Sequence, residues 1–131
     1  MIKRISEPVD HSSLRARGNI GEDAVCSFLE RNGYEIIRRN FTVHGGEIDI
    51  IAKKGETLCF VEVKSRREDP LAEGEQAMTK AKKANIVKAA GRFLETYEQD
   101  CDCRFDVAVV TLKENTVSHL KYYVAAFDAS Q

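Results

Sequence analysis

No apolar run in the sequence approaches the ~20 residues that a bilayer-spanning helix needs, which excludes a helical membrane protein. The opening MIKRISEPVD carries two basic residues with no apolar stretch behind them, so a secretory signal is not expected and a cytoplasmic location is. Internal repeats, low-complexity tracts and Gly/Ser linkers are also missing, which leaves no signal of a solenoid or of two tethered domains. Cysteine is sparse and badly spaced for zinc. The only close pair is Cys101-Asp102-Cys103, one residue short of the usual Cys-x2-4-Cys, and no second pair stands elsewhere. Cys26 and Cys59 lie among apolar residues and read as small hydrophobes. No large charge imbalance marks the chain either, since its net charge is −1.

What is present fits one soluble-type domain. A chain of 131 residues with 43% hydrophobic and 31% charged residues can bury an ordinary core unaided. Its charge is unevenly spread. Between Lys64 and Arg92 there are eight basic residues against four acidic, and between Glu95 and Asp106 one basic against five acidic. The basic stretch suits phosphate contact, or simply a solvated helix face.

The first 16 residues lack periodicity and are expected to form a flexible arm, with a single domain over 17–131. A first helix is expected from Asn19 to Gly33, with Asn19 as N-cap, Glu22 completing a capping box and an apolar arc of Ile20, Ala24, Val25, Phe28 and Leu29. Strands follow at 34–43, 47–53 and 57–65, separated by Gly45-Gly46 and Lys53-Lys54-Gly55-Glu56, as in an antiparallel meander. A second helix is expected over Glu75–Tyr97, with Ile86, Ala90, Phe93, Leu94 and Tyr97 facing the core. The nearly continuous apolar run 104–112 reads as a central strand, and 117–127 as the last one. The order α-β-β-β-α-β-β implies an α/β fold with a mixed sheet flanked by helices.

Strand alternation puts Phe60, Glu62 and Lys64 on one face and Val61 and Val63 on the other. Along the preceding strand, Glu47, Asp49 and Ile51 share a face, with Ile48 and Ile50 opposite. Hairpin pairing then brings Asp49 beside Glu62. Two hard carboxylates with a lysine alongside suit phosphodiester hydrolysis. Asp49 and Glu62, helped by the backbone carbonyl of Val63, are candidate ligands for Mg2+ or Mn2+, and Lys64 is placed to orient water or stabilise the transition state. The plainer alternative is a Glu62–Lys64 ion pair on a solvated sheet face.

GNIGEDA (18–24), RRN (38–40), GEIDII (46–51), FVEVKSR (60–66) and AMTKAKKANIVKAAGRFL (77–94) resemble, in order and spacing, the YraN-like family of predicted bacterial endonucleases. That family is similar in fold to archaeal Holliday-junction resolvases of the PD-(D/E)xK superfamily. The resemblance covers about residues 17–112. It implies a restriction-endonuclease-like core with Asp49, Glu62 and Lys64 at the catalytic positions. Glu22 matches the family's first-helix glutamate, and Lys82 its lysine beyond the core strand. Ser65 stands where an aromatic residue or threonine is frequent.

Glu22 therefore has two readings, a further metal-site carboxylate or a helix cap. Lys82 and Lys83 fall on the sheet side of the second helix and suit a phosphate, as does Gln76; Arg66 and Arg67 suit backbone contacts. The activity expected is metal-dependent endonucleolytic hydrolysis of DNA, branched or flapped substrates included. A non-catalytic module binding nucleic acid or protein is the alternative, and hydrolysis of another phosphoester a third. No stacking platform or groove-reading helix points to sequence-specific readout. Cuts on both strands would call for a homodimer, for which Tyr122, Tyr123 and Phe127 are candidate contacts, or else core.

Overall fold

Leu14, Arg15, Ala16 and Arg17 favour helix, so nothing upstream of Asn19 stops a helix from forming. In the computed structural model of the chain, which describes residues 14–68 and 78–130, α1 spans Leu14–Arg31. It starts five residues before the expected cap. Asn19 and Glu22 are thus interior helical residues and the capping box does not form. Most of the expected arm, 1–13, lies outside the described residues, and Leu14–Ala16 belong to the helix. The C-terminal end follows expectation. Gly33 adopts φ +86°, its N–H donates to the Glu30 carbonyl, and Tyr34 N–H donates to Leu29, which is a Schellman stop.

The strands are β1 (Glu35–Val43), β2 (Gly46–Lys54), β3 (Thr57–Arg67), β4 (Asp102–Lys113) and β5 (Thr116–Phe127), in spatial order β1-β2-β3-β4-β5. All neighbours are antiparallel except β3 and β4, which the crossover helix α2 (Lys80–Thr96) makes parallel. Thr79 caps α2 by accepting the Lys82 N–H at 3.1 Å. Met78 and Thr79 are not helical, and the rest of the expected start, Glu75–Ala77, lies outside the described residues. The expected element order and mixed sheet are both present.

The helices cover opposite faces. Ile86, Ala89, Ala90 and Phe93 of α2 pack on Ile48, Ile51, Phe60, Phe105 and Val107. Ile20, Val25 and Leu29 of α1 pack on Ile50, Val61, Ala108 and Val110. Covered on both sides, β4 is buried from Phe105 to Leu112, as its apolar run foretold. Gly21 lets α1 approach so closely that a side chain there would collide with the Ser65 hydroxyl of β3.

One expectation about faces fails. Ile50 packs in the α1 layer, but Ile48 packs with Ile51 in the α2 layer. The β2–β3 ladder runs from Lys54↔Thr57 to Ile50↔Val61 and ends there. Before Ile50, from Gly46 to Ile48, β2 keeps only its β1 neighbour, and strict alternation lapses where the second ladder is lost. The strands fork at Asp49.

On β5, Phe127 is buried and Tyr122 packs partly beneath α1, whereas Tyr123 and Val124 are exposed. The three aromatic residues therefore do not form one surface, because the strand sends alternate side chains to opposite faces.

Candidate active site

At the fork, a side chain does the work of the missing ladder. Asp49 Oδ2 accepts the backbone N–H of Val63 at 2.8 Å. In a strand the N–H and C=O of one residue point to the same edge, so the Val63 carbonyl is directed to this side too. The bond holds the Asp49 carboxylate against β3, beside Glu62.

Glu62 is buried, 5% exposed, so it does not stand on a solvated sheet face. Its carboxyl is pushed up to about 8, chiefly by burial and next by the charge and hydrogen bonding of Asp49, against the pull of Lys82. The Lys82 ammonium lies 3.1 Å from Glu62 Oε2. Lys64 follows two residues along β3, on the Glu62 face by alternation, and is half-buried.

Glu22 reaches toward Asp49 from α1, on the other side of the fork. Burial first, then the Asp49 charge, raises its carboxyl above the ordinary range; Arg39 and the Asn40 side chain pull it back. Its Oε1 is buried with no hydrogen-bond partner, and the 3.6 Å approach of Arg39 is too long to supply one. The Arg39 guanidinium is engaged by Asp23 at 2.7 Å. Glu22 does not cap the helix; it stands as a part-buried carboxylate between Arg39 and Asp49.

The fork thus gathers Asp49, Glu62 and Lys82, with Val63 as backbone and Glu22 behind. Other candidates lie apart. Lys83 leans over the Phe127 ring at 5.7 Å, because one residue along a helix turns the side chain by about 100°. Arg66 and Arg67 are exposed where β3 runs out beyond Lys64; Arg66 Nε donates to Thr111 at 3.3 Å. Gln76 lies outside the described residues. Arg39 and Asn40 were not singled out by sequence reasoning as site residues. The RRN match was their only trace, and Asn40 adds a left-handed φ of +54° inside β1.

A divalent ion needs hard oxygen donors and tolerates several waters. Among the described residues, no group of three or more Asp, Glu, His or Cys side chains is arranged as a ready-made cage. The donor set that fits is the facing pair Asp49 and Glu62. The fit rests on two adjacent carboxylates, Glu62 buried and Asp49 part-buried, and on the Glu22 oxygen close behind, which has no hydrogen-bond partner.

The thiols behave as expected of buried cysteine. Burial pushes both Cys26 and Cys59 up to about 11, which keeps them protonated and inert at neutral pH. No described helix is long and apolar enough to cross a membrane.

A profile of the uncharacterised protein family UPF0102 matches residues 21–110, inside the 17–112 span of the sequence resemblance. The chain is 43% identical to a UPF0102 protein of Prosthecochloris aestuarii over 107 residues, covering 81% of this chain and 84% of that one. It is 39% identical to one of Chlorobium chlorochromatii over 112 residues, covering 79% and 87%. A third, of Caldicellulosiruptor saccharolyticus, is 39% identical over 115 residues, covering 86% and 98%.

Proposed function

The chain belongs to the uncharacterised protein family UPF0102, and on the geometry of the fork we propose that it is a Mg2+- or Mn2+-dependent endonuclease of the PD-(D/E)xK type. The observation that carries this reading is the buried Glu62 carboxyl held against Asp49 at a strand fork. A structural acid would not be placed so. It would be saturated by donors, not set between the Lys82 ammonium and a second carboxylate.

In this reading Asp49 and Glu62 hold the ion, with the Val63 carbonyl available and Glu22 assisting through Asp49. When bound, the ion supplies an activated water and neutralises charge building on the phosphate. Asp49 is positioned for this by the Val63 N–H, which fixes its carboxylate against β3. Lys64 orients the attacking water or stabilises the phosphate oxygens in the transition state. Arg66 and Arg67 extend the basic surface along the same strand and suit backbone phosphates without reading sequence. DNA, including branched and flapped forms, is the proposed substrate.

The test is cleavage of labelled linear, flapped and four-way DNA by the full chain with Mg2+ or Mn2+. Asp49→Ala and Lys64→Ala should each lose roughly 10²–10³-fold in rate. Cleavage that survives both substitutions would come from another site or another protein. Metal-independent DNA binding with no cleavage would leave the fold as a binding module.

A further inference from the structure

Lys82 stands in an unusual relation to Glu62. Its backbone is pinned, since Thr79 accepts its N–H at the start of α2, yet its side chain is 43% exposed, against 6% for Glu62. One partner is fixed inside the protein and the other reaches in from outside. Lys82 also lines a cleft of about 270 Å³ between α2 and the start of β2, shared with Thr42, Gly46, Glu47 and Asn85. The ammonium therefore has a second place to go without any movement of the helix. The charged groups around it are Glu62, Asp49 and Glu47.

We propose that Lys82 is a tethered counter-cation, which occupies Glu62 until a divalent ion takes that carboxylate and then swings out to the phosphate of a bound strand. The inference rests on the metal reading above and adds a regulatory step to it. Two neighbouring carboxylates, one of them buried, need a proton or a cation beside them. A lysine that merely strengthened the fold would stay with Glu62. An ion bringing two charges to the same oxygens makes the ammonium redundant and repels it. Glu47 keeps the released side chain near the cleft, and an incoming phosphate then competes for it. Metal binding and strand binding become mutually reinforcing, as linkage requires.

Lysine acylation followed by mass spectrometry reads this directly. Without divalent ions, Lys82 in the full chain should react severalfold more slowly than neighbouring Lys83, because its ammonium is held 3.1 Å from Glu62. Glu62→Gln should abolish that protection. Mg2+ should release Lys82 to the Lys83 rate, and a short oligonucleotide should protect it again. Calorimetric titration with Mg2+, with Asp49→Ala as control, runs alongside. If calorimetry registers the ion but Lys82 stays protected, the counter-cation role is wrong while the metal site stands. If wild type and Asp49→Ala both fail to bind Mg2+, the metal reading falls and takes this inference with it.

Discussion

Two buried acids sit one residue apart in the β3–β4 register, where Val61 pairs with Asp106 and Glu62 with Val107. They are treated in opposite ways. Asp106, fully buried, is saturated. Arg104 donates to it from Nε and Nη2 at 2.9 Å, the Tyr122 hydroxyl at 2.6 Å and the Ala125 N–H at 2.8 Å. Arg104 also donates to the Tyr34 hydroxyl at 2.8 Å, so the network ties β4 to β5 and to the end of α1. The Asp106 hydrogen bond raises the Arg104 guanidinium above its ordinary range, and burial, then Asp106, raises the Tyr122 phenol. Glu62 receives the Lys82 ammonium and faces the Asp49 carboxylate, with Glu22 behind, whose Oε1 has no hydrogen-bond partner. The first arrangement fits a group whose job is finished when the chain folds. The second fits a group that awaits something.

That contrast can be broken by mutation. Asp106→Asn should cost the most, about 3 kcal/mol, because it removes a fully buried carboxylate from a part-buried guanidinium and two further donors. Urea unfolding reads this, and cleavage per folded molecule should be unchanged. A loss of less than about 1 kcal/mol would mean that the network is decorative.

The next effect is on pH. Glu62 has an ordinary value of 4.5 and is raised to about 8 in the fold. Between those values the folded chain holds a proton that the unfolded chain has released. Stability without divalent ions should therefore fall as pH rises from about 4.5 to about 8, and level off above. Glu62→Gln should remove that slope, and saturating Mg2+ should flatten it. A Glu62→Gln profile superimposable on wild type would put the origin elsewhere.

Smaller still is Glu22→Gln, which removes the like-charge contact with Asp49 at little steric cost. The metal-free protein should gain about 1 kcal/mol and Mg2+ affinity should drop. A loss of stability would show that Glu22 is a structural acid after all.

The smallest effect sharpens the Asp106 side. Ala125 holds φ +52° at the β5 irregularity, where its N–H reaches Asp106. Ala125→Gly should relieve that strain for a net gain of about 0.5 kcal/mol in thermal or urea unfolding.

Much of this was readable in advance because the signals were local. The apolar arc of α1, the Gly33 stop, the turns at Gly45-Gly46 and Gly55, and the doubly buried β4 each follow from residues a few places apart. Glu62 and Lys64 declared themselves by a period of two. The start of α1 was misplaced because a good capping residue, Asn19, stood inside a stretch that already favoured helix. Ile48 was misassigned because alternation presumes a strand paired on both sides, and β2 loses β3 at Asp49. Arg39 and Asn40 carried no periodic or spacing signal at all.

By itself the sequence determined the order of elements and most of the two apolar faces, since these depend on backbone periodicity and turn chemistry. Only the tertiary structure decided which acid is satisfied and which is not. It set Lys82 against Glu62, turned Lys83 to Phe127, and left a Glu22 oxygen without a hydrogen-bond partner. Such outcomes depend on where strands part and how closely helices approach, and burial and charge act through those distances.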